Sequence, residues 1–120
     1  MNVRILPANL KGEVFAPPSK SVAHRALICA ALANESSTVF PVDGSKDMEA
    51  TIGALKTLGA SIVRNDNGVT ITGIGKAPKQ AKVDCIESGS TLRFLIPIAA
   101  AKGISCQFIG SGRLPERPLA

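Results

Sequence analysis

Arg25-Ala26-Leu27-Ile28-Cys29-Ala30-Ala31-Leu32-Ala33, followed closely by Ser37-Thr38-Val39-Phe40, is the stretch that decides the fold. Val22, Ala26, Leu27, Ala30 and Ala31 fall at helical spacing, and the run after them is rich in strand formers. A shift of 68 positions (from 25 to 93) brings the same pattern back. Arg25 falls on Arg93, Leu27 on Leu95, Ile28 on Ile96, Ala31 on Ala99 and Ala33 on Ala101. Ser37 then falls on Ser105, Phe40 on Phe108 and Gly44 on Gly112. Two Ala-rich helices match easily by chance, but the strand residues matching in the same register do not follow from alanine content. The spacing therefore predicts a repeated helix–strand unit.

Outward from this block, Val3-Arg4-Ile5 and Glu13-Val14-Phe15 read as short strands on either side of Gly12, and Pro17-Pro18 ends the extended stretch. Ser19 caps a first helix reaching about Ala33, and Thr38–Val42 is a strand. Gly44-Ser45 opens a second helix carrying Met48, Ile52, Leu55 and Leu58, with Gly59 as its stop. Ser61–Arg64 and Val69–Thr72 flank Asn65-Asp66-Asn67-Gly68, which has hairpin-turn chemistry. After a Gly/Lys/Pro-rich loop come a strand at Lys82–Cys85, a third helix from Ser88-Gly89-Ser90 to about Lys102, and a strand at Ile104–Ile109. The expected class is α/β (α+β), laid out β-α-β-α-β-β and then β-α-β. That is one βαβαββ unit complete and a second truncated, with Leu119-Ala120 inside the helix equivalent to the one holding Thr51-Ile52.

The 120 residues carry a formal charge of +5 and are 45% hydrophobic, enough for a packed core and against disorder. No apolar run spans a bilayer and the first residues lack a signal-peptide core, so a cytoplasmic protein is expected. The basic balance points to anionic partners. With only four Phe, and no Trp or Tyr, there are too few stacking platforms for single-stranded nucleic acid, so a small phosphorylated ligand is expected instead. Cys29, Cys85 and Cys106 are widely spaced, form no C-x-x-C pair and read as reduced core residues. His24 is the only histidine and has no partners at ligand spacing, so no metal site is expected.

The first helix opens Ser19-Lys20-Ser21-Val22-Ala23-His24-Arg25, with basic side chains and no acid. The helix dipole makes that order unfavourable by about 0.3–1 kcal/mol per charge unless an anion sits there. The second helix begins Lys46-Asp47-Met48-Glu49 and ends near Lys56, which is the ordinary order. The third opens Glu87-Ser88-Gly89-Ser90-Thr91-Leu92-Arg93, where a glycine between hydroxyl residues lets backbone approach an anion closely. Gly110-Ser111-Gly112-Arg113-Leu114-Pro115-Glu116-Arg117-Pro118 places two guanidinium groups in a proline-stiffened loop suited to bidentate anion contacts. The alternative for each is plain capping and solvated charge.

Pro18-Ser19-Lys20-Ser21, His24-Arg25-Ala26-Leu27, Ser88-Gly89-Ser90-Thr91-Leu92-Arg93 and Leu114-Pro115-Glu116-Arg117-Pro118, in this order, resemble EPSP synthase (3-phosphoshikimate 1-carboxyvinyltransferase) over essentially the whole chain. The resemblance implies transfer of the enolpyruvyl group of phosphoenolpyruvate to the 5-hydroxyl of shikimate 3-phosphate, a transferase step of the shikimate pathway toward chorismate and the aromatic amino acids. It implies an inside-out α/β barrel of βαβαββ units in two domains, with no metal or organic cofactor. Residues 1–19 would be strands near the interdomain crossover, and residues 20–120 part of the N-terminal domain. Lys20 would touch both substrates, Ser21 and Arg25 would hold shikimate 3-phosphate, and Gly89 and Arg117 would hold phosphoenolpyruvate, with Ser90, Arg93 and Arg113 as secondary candidates. The general acid and base would lie beyond Ala120, leaving this chain without turnover of its own and dependent on the C-terminal remainder of the enzyme. Glu87 departs from the family, which carries Asn there in many members, and places a negative charge beside an anion site. Two other readings stand beside this one. One is the sister enolpyruvyl transferase acting on UDP-N-acetylglucosamine, against which the Ser21/Arg25 pair and the Pro-Glu-Arg-Pro loop weigh. The other is a non-catalytic module for small anions.

Overall fold

Ser19 is extended (φ −70°, ψ 110°) and its hydroxyl accepts from the Val22 amide, so the first helix, α1, begins at Lys20 and runs Lys20–Leu32. The computed structural model describes residues 1–118. After α1 come β1 (Ser36–Val39), α2 (Lys46–Thr57), β2 (Ser61–Arg64), β3 (Val69–Thr72), β4 (Gln80–Asp84), α3 (Gly89–Ala101), β5 (Ser105–Ile109) and a 3₁₀ turn at Leu114–Glu116. The expected strand through Val42 stops at Val39 because Pro41 has no N–H to give a ladder. Gly59 ends α2 with φ +109°, a conformation open to glycine. Leu119 and Ala120, expected in a further helix, lie outside the described residues.

The strands form two sheets. One is antiparallel, in the order β1-β3-β2, with Ser36 facing Thr72 and Arg64 facing Val69 at its ends. The β1–α2–β2 connection therefore skips one place, which β3 fills from the hairpin. The second sheet is the parallel pair β4 and β5, joined across α3. Parallel neighbours need such a crossover, and the helix covers the sheet in making it. The core between helices and sheets holds Leu27, Met48, Leu55, Leu58, Val69, Ile71, Val83 and Leu95, all fully buried. Burying each such side chain contributes about 1.5–3 kcal/mol before chain entropy is counted.

The repeat predicted by the 68-residue shift matches these elements: α3 falls on α1 and β5 on β1. Its opening strand differs. The shift puts β4 on residues 12–16, yet residues 1–19 form no strand, and Val14 and Phe15 are fully exposed. The strands expected at Val3-Arg4-Ile5 and Glu13-Val14-Phe15 are thus absent from the structure. A strand leaves its backbone groups unpaired unless a neighbouring edge receives them, and β-rich composition alone does not supply that edge. The edge of β1 opposite β3 is open, beside exposed Val22 and Phe40.

Two glycines respond oppositely to a methyl group. A Cβ at Gly73 would overlap the Ala33 carbonyl oxygen and sit 3.2 Å from that of Ala31, where the Ile74 amide already donates at 2.8 Å. Gly53 lies within α2 with open space around it. Gly73→Ala is expected to cost about 1–3 kcal/mol by forcing backbone apart, and Gly53→Ala to gain about 0.5–1 kcal/mol of helix stability. Urea unfolding midpoints of the two variants check this, and equal shifts would contradict the packing described.

Candidate anion-binding site

The turn before α3 is held from four directions. Asp84 Oδ1 accepts from the Ile86 amide at 2.8 Å, and the Cys85 amide donates to Ile109 O at 2.9 Å. The Ser88 amide donates to Cys85 O at 2.8 Å, and the Ser111 amide to Ile86 O at 2.6 Å. Ile86 has φ 52°, unusual for a β-branched residue and costing about 1–3 kcal/mol, which these bonds sustain. The turn sets Ser88 as the N-cap of α3, accepting from the Thr91 amide at 3.2 Å. No acid occupies the first turn of α3 or of α1, whereas α2 carries Asp47 and Glu49 there.

At this end of α3 a cleft of about 430 Å³ opens between the start of α2 (Lys46, Asp47), the Glu87–Ser90 turn, and the side chains of Arg93 and Arg117. A Cβ on Gly89 would stand 2.9 Å from Arg93 Nη1 and 3.6 Å from Arg117 Nη1. The bare Cα thus lets two guanidinium groups close on one helix N-terminus. Like charges gathered where the dipole is already positive call for an anion between them. Arg93 Nη2 also donates to Pro118 O at 2.8 Å, which ties the end of the arginine loop to α3.

Glu87 does not simply oppose that charge. Its Oε1 accepts from the Arg113 amide at 3.2 Å, and its carboxylate lies where a Cβ on Gly112 (φ +56°) would be, 2.6 Å from the carboxyl carbon. The acid fastens the loop that delivers Arg117. Across the cleft, Lys20 Nζ donates to Asp47 Oδ2 at 3.3 Å, with both side chains about half exposed. An exposed pair of this kind contributes about 0–1 kcal/mol, so a stronger anion displaces it readily. Arg25 Nη1 donates to Ser21 O at 2.8 Å, and its guanidinium lies over Phe94 at 5.2 Å from the ring centroid.

Of the residues singled out in the sequence, Gly89, Ser90, Arg93 and Arg117 line the cleft together and Lys20 stands at its rim through Asp47. Ser21, Arg25 and Arg113 do not line it. Lys46, Asp47 and Glu87 do, and carried little sequence signal for it: Lys46 and Asp47 open α2 in the ordinary dipole order, and Glu87 reads as an adverse charge. A second hollow of about 490 Å³ lies over β4 and β5, with Lys82 its single charged residue.

Burial pulls the pKa of His24 below its usual value, with Asp47 opposing and Lys20 and Arg25 assisting. Ser45, whose amide donates to Asp43 Oδ1 at 3.1 Å, holds the Asp43 carboxyl low. Burial pushes the Cys85 thiol up to about 11, with Asp84 and Cys106 adding to it, and also raises Cys106. Among the described residues no three His, Cys, Asp or Glu side chains are grouped to hold a metal ion, and no helix is long and apolar enough to cross a membrane.

Comparison with known proteins gives the family of the chain. The family model described as EPSP synthase (3-phosphoshikimate 1-carboxyvinyltransferase) matches residues 6–120. A 3-phosphoshikimate 1-carboxyvinyltransferase of Clostridium kluyveri is 52% identical over 118 residues, covering 98% of this chain and 28% of that protein. One from Clostridioides difficile is 44% identical over 130 residues, covering 98% of this chain and 30% of its own length. A solved EPSP synthase from Acinetobacter baumannii superposes with a TM-score of 0.78 at 30% identity, over 90% of this chain and 25% of that one. The chain thus spans between a quarter and a third of the length of these relatives.

The lowered His24 pKa has a definite sign. The unfolded chain binds a proton near pH 6.5 and the folded chain resists it, so stability is full above 6.5 and falls as pH drops below it. Asp43 acts in a separate window, below about its ordinary 3.8. The urea midpoint is expected to fall between pH 7.5 and 5, and that fall to flatten in His24→Asn. An unchanged slope in the variant would show that His24 is not its source.

Proposed function

The chain belongs to the EPSP synthase family, and from that premise we propose that it is part of an enzyme joining phosphoenolpyruvate to shikimate 3-phosphate. The enolpyruvyl group passes to the 5-hydroxyl of shikimate 3-phosphate, giving 5-enolpyruvylshikimate 3-phosphate and phosphate, in the cytoplasm, on the route to chorismate and the aromatic amino acids. The observation that carries this reading is the convergence of Arg93 and Arg117 on the bare Cα of Gly89 at the start of α3. Two substrates bearing two phosphates and two carboxylates need such a site. Cations and backbone N–H groups fixed in advance stabilise the charge without reorganising during reaction.

In this reading Lys20 leaves Asp47 to contact both substrates. Ser21 and Arg25 hold shikimate 3-phosphate, Gly89 and Arg117 hold phosphoenolpyruvate, and Ser90, Arg93 and Arg113 support them. By likeness to the family, the general acid and base come from the remainder of the enzyme. Residues 1–19 lie near the crossover between two domains, and residues 20–120 form part of the N-terminal one. Neither metal nor organic cofactor has a role in this scheme, and membranes and nucleic acid are not partners. The named relatives are all 3-phosphoshikimate 1-carboxyvinyltransferases, which favours shikimate 3-phosphate over a UDP-sugar acceptor.

In the full-length enzyme Lys20→Met is expected to raise KM for both substrates about tenfold or more, the loss of a charge-assisted contact to each. A change confined to thermal stability would leave Lys20 a merely solvated lysine. The 120-residue chain on its own is expected to show no turnover, and measurable turnover would overturn the division of groups described. Glu87→Gln keeps an acceptor for the Arg113 amide and removes one negative charge. It is expected to lower KM for phosphoenolpyruvate by about two- to fivefold, the equivalent of about 0.4–1 kcal/mol.

A further inference from the structure

Four polar side chains from three helices run in a line through the interior. His24 Nδ1 of α1 is 2.7 Å from Thr51 Oγ1 of α2, which is 2.8 Å from Thr91 Oγ1 of α3. Thr91 Oγ1 in turn donates to Ser88 Oγ at 2.8 Å. Thr51 and Thr91 are wholly buried, and His24 and Ser88 are each 3% exposed. A hydroxyl has one proton to give, which settles every direction in the line. Thr91 spends its proton on Ser88 and therefore accepts from Thr51. Thr51, having spent its own, accepts from His24, so the imidazole carries its proton on Nδ1.

The line ends at Ser88 with a consequence for the cleft. Ser88 Oγ already accepts twice, from the Thr91 hydroxyl and from the Thr91 amide at 3.2 Å. Among the described residues nothing takes its remaining proton, and Ser88 lines the cleft between Gly89 and Glu87. We infer that His24, Thr51 and Thr91 are positioning residues whose one-way relay turns Ser88 into a hydrogen-bond donor for an anionic oxygen in the cleft. A hydroxyl free to rotate presents a lone pair as readily as a proton and discriminates poorly. With both acceptor positions filled, Ser88 meets an oxyanion favourably and another donor unfavourably. The same line ties α1 to α3, so the start of α1 and the start of α3 keep a set separation.

A carboxylate and a phosphate group offer the same chemistry and each substrate carries both, so the test assigns the substrate that Ser88 meets. The inference rests on the proposed reaction only for its kinetic arm. In the full-length protein, ¹⁵N NMR of the imidazole is expected to show the neutral His24 ring protonated on Nδ1, the less common form in water. Nε2–H in its place would overturn the relay. Thr51→Val keeps the volume and removes the hydroxyl, and is expected to raise KM for one substrate about tenfold, the scale of one hydrogen bond to a charged group. Which substrate responds identifies the ligand that supplies the oxygen. Thr51→Ser is expected to restore KM to within about twofold, and Ser88→Ala to lose as much as Thr51→Val, with the double variant no worse than either. Unchanged KM and kcat in Thr51→Val beside a lowered melting temperature would make the line purely structural and overturn the inference. If the wild-type enzyme does not turn over the two substrates, the proposed reaction fails by itself, and inorganic phosphate binding to the same variants reads the relay: equal affinity in all of them overturns it. Should Thr51→Val fail to fold, the wild-type tautomer and Ser88→Ala still decide the question.

Discussion

Hydrogen bonds between buried hydroxyls hold this structure to one arrangement in a way its aliphatic contacts do not. Leu27, Met48, Leu55 and Leu95 are fully buried among the helices, and their contacts are non-directional. The line through His24, Thr51, Thr91 and Ser88 does not slide, because a buried donor or acceptor that loses its partner costs about 1–3 kcal/mol. That line joins α1, α2 and α3, and their N-termini gather at one end. Lys20 reaches Asp47 across the starts of α1 and α2, and Lys46 and Asp47 face Gly89 across the starts of α2 and α3. Three positive dipole ends and the cations around them form a field that favours anions before any ligand arrives.

What the sequence made legible was whatever depends on near neighbours. The cap at Ser19, the apolar spacing of α1 and α2, and the hairpin around Asn65–Gly68 involve residues within a few positions of one another, and all formed as expected. The opening strands were not legible, because Glu13-Val14-Phe15 has strand chemistry but pairing is decided by which edge lies alongside it. Glu87 was misleading for a related reason. Its charge was visible, but the Arg113 amide that engages it lies 26 residues away across a loop. His24 reads in sequence as a lone histidine without metal partners. Its actual partner, Thr51, is 27 residues distant and Thr91 a further 40, so only the packed helices reveal that it is the end of a line.

The arrangement also separates groups that must stay from groups that must move. The turn at Ile86, held by hydrogen bonds on both sides, and the loop fastened by Glu87 fix Gly89 and Arg117 relative to α3. Lys20 and Asp47 are joined by a single exposed contact worth little. The cation opposite the arginines is therefore parked and exchangeable, while the arginine side is built in.

The repeat explains why the two walls differ. Ser19-Lys20-Ser21 and Ser88-Gly89-Ser90 occupy nearly equivalent places at the starts of α1 and α3, each capped by the serine that precedes the helix. At α1 the next residue is a lysine, whose charge sits at the end of a long side chain and meets Asp47 at the rim of the cleft. At α3 it is a glycine, which leaves the helix end bare and lets two arginines close on it. One helix end thus works at a distance and the other at contact. Two copies of a single unit thus present unlike helix ends, one joined to the rim of the cleft through Asp47 and the other lining it.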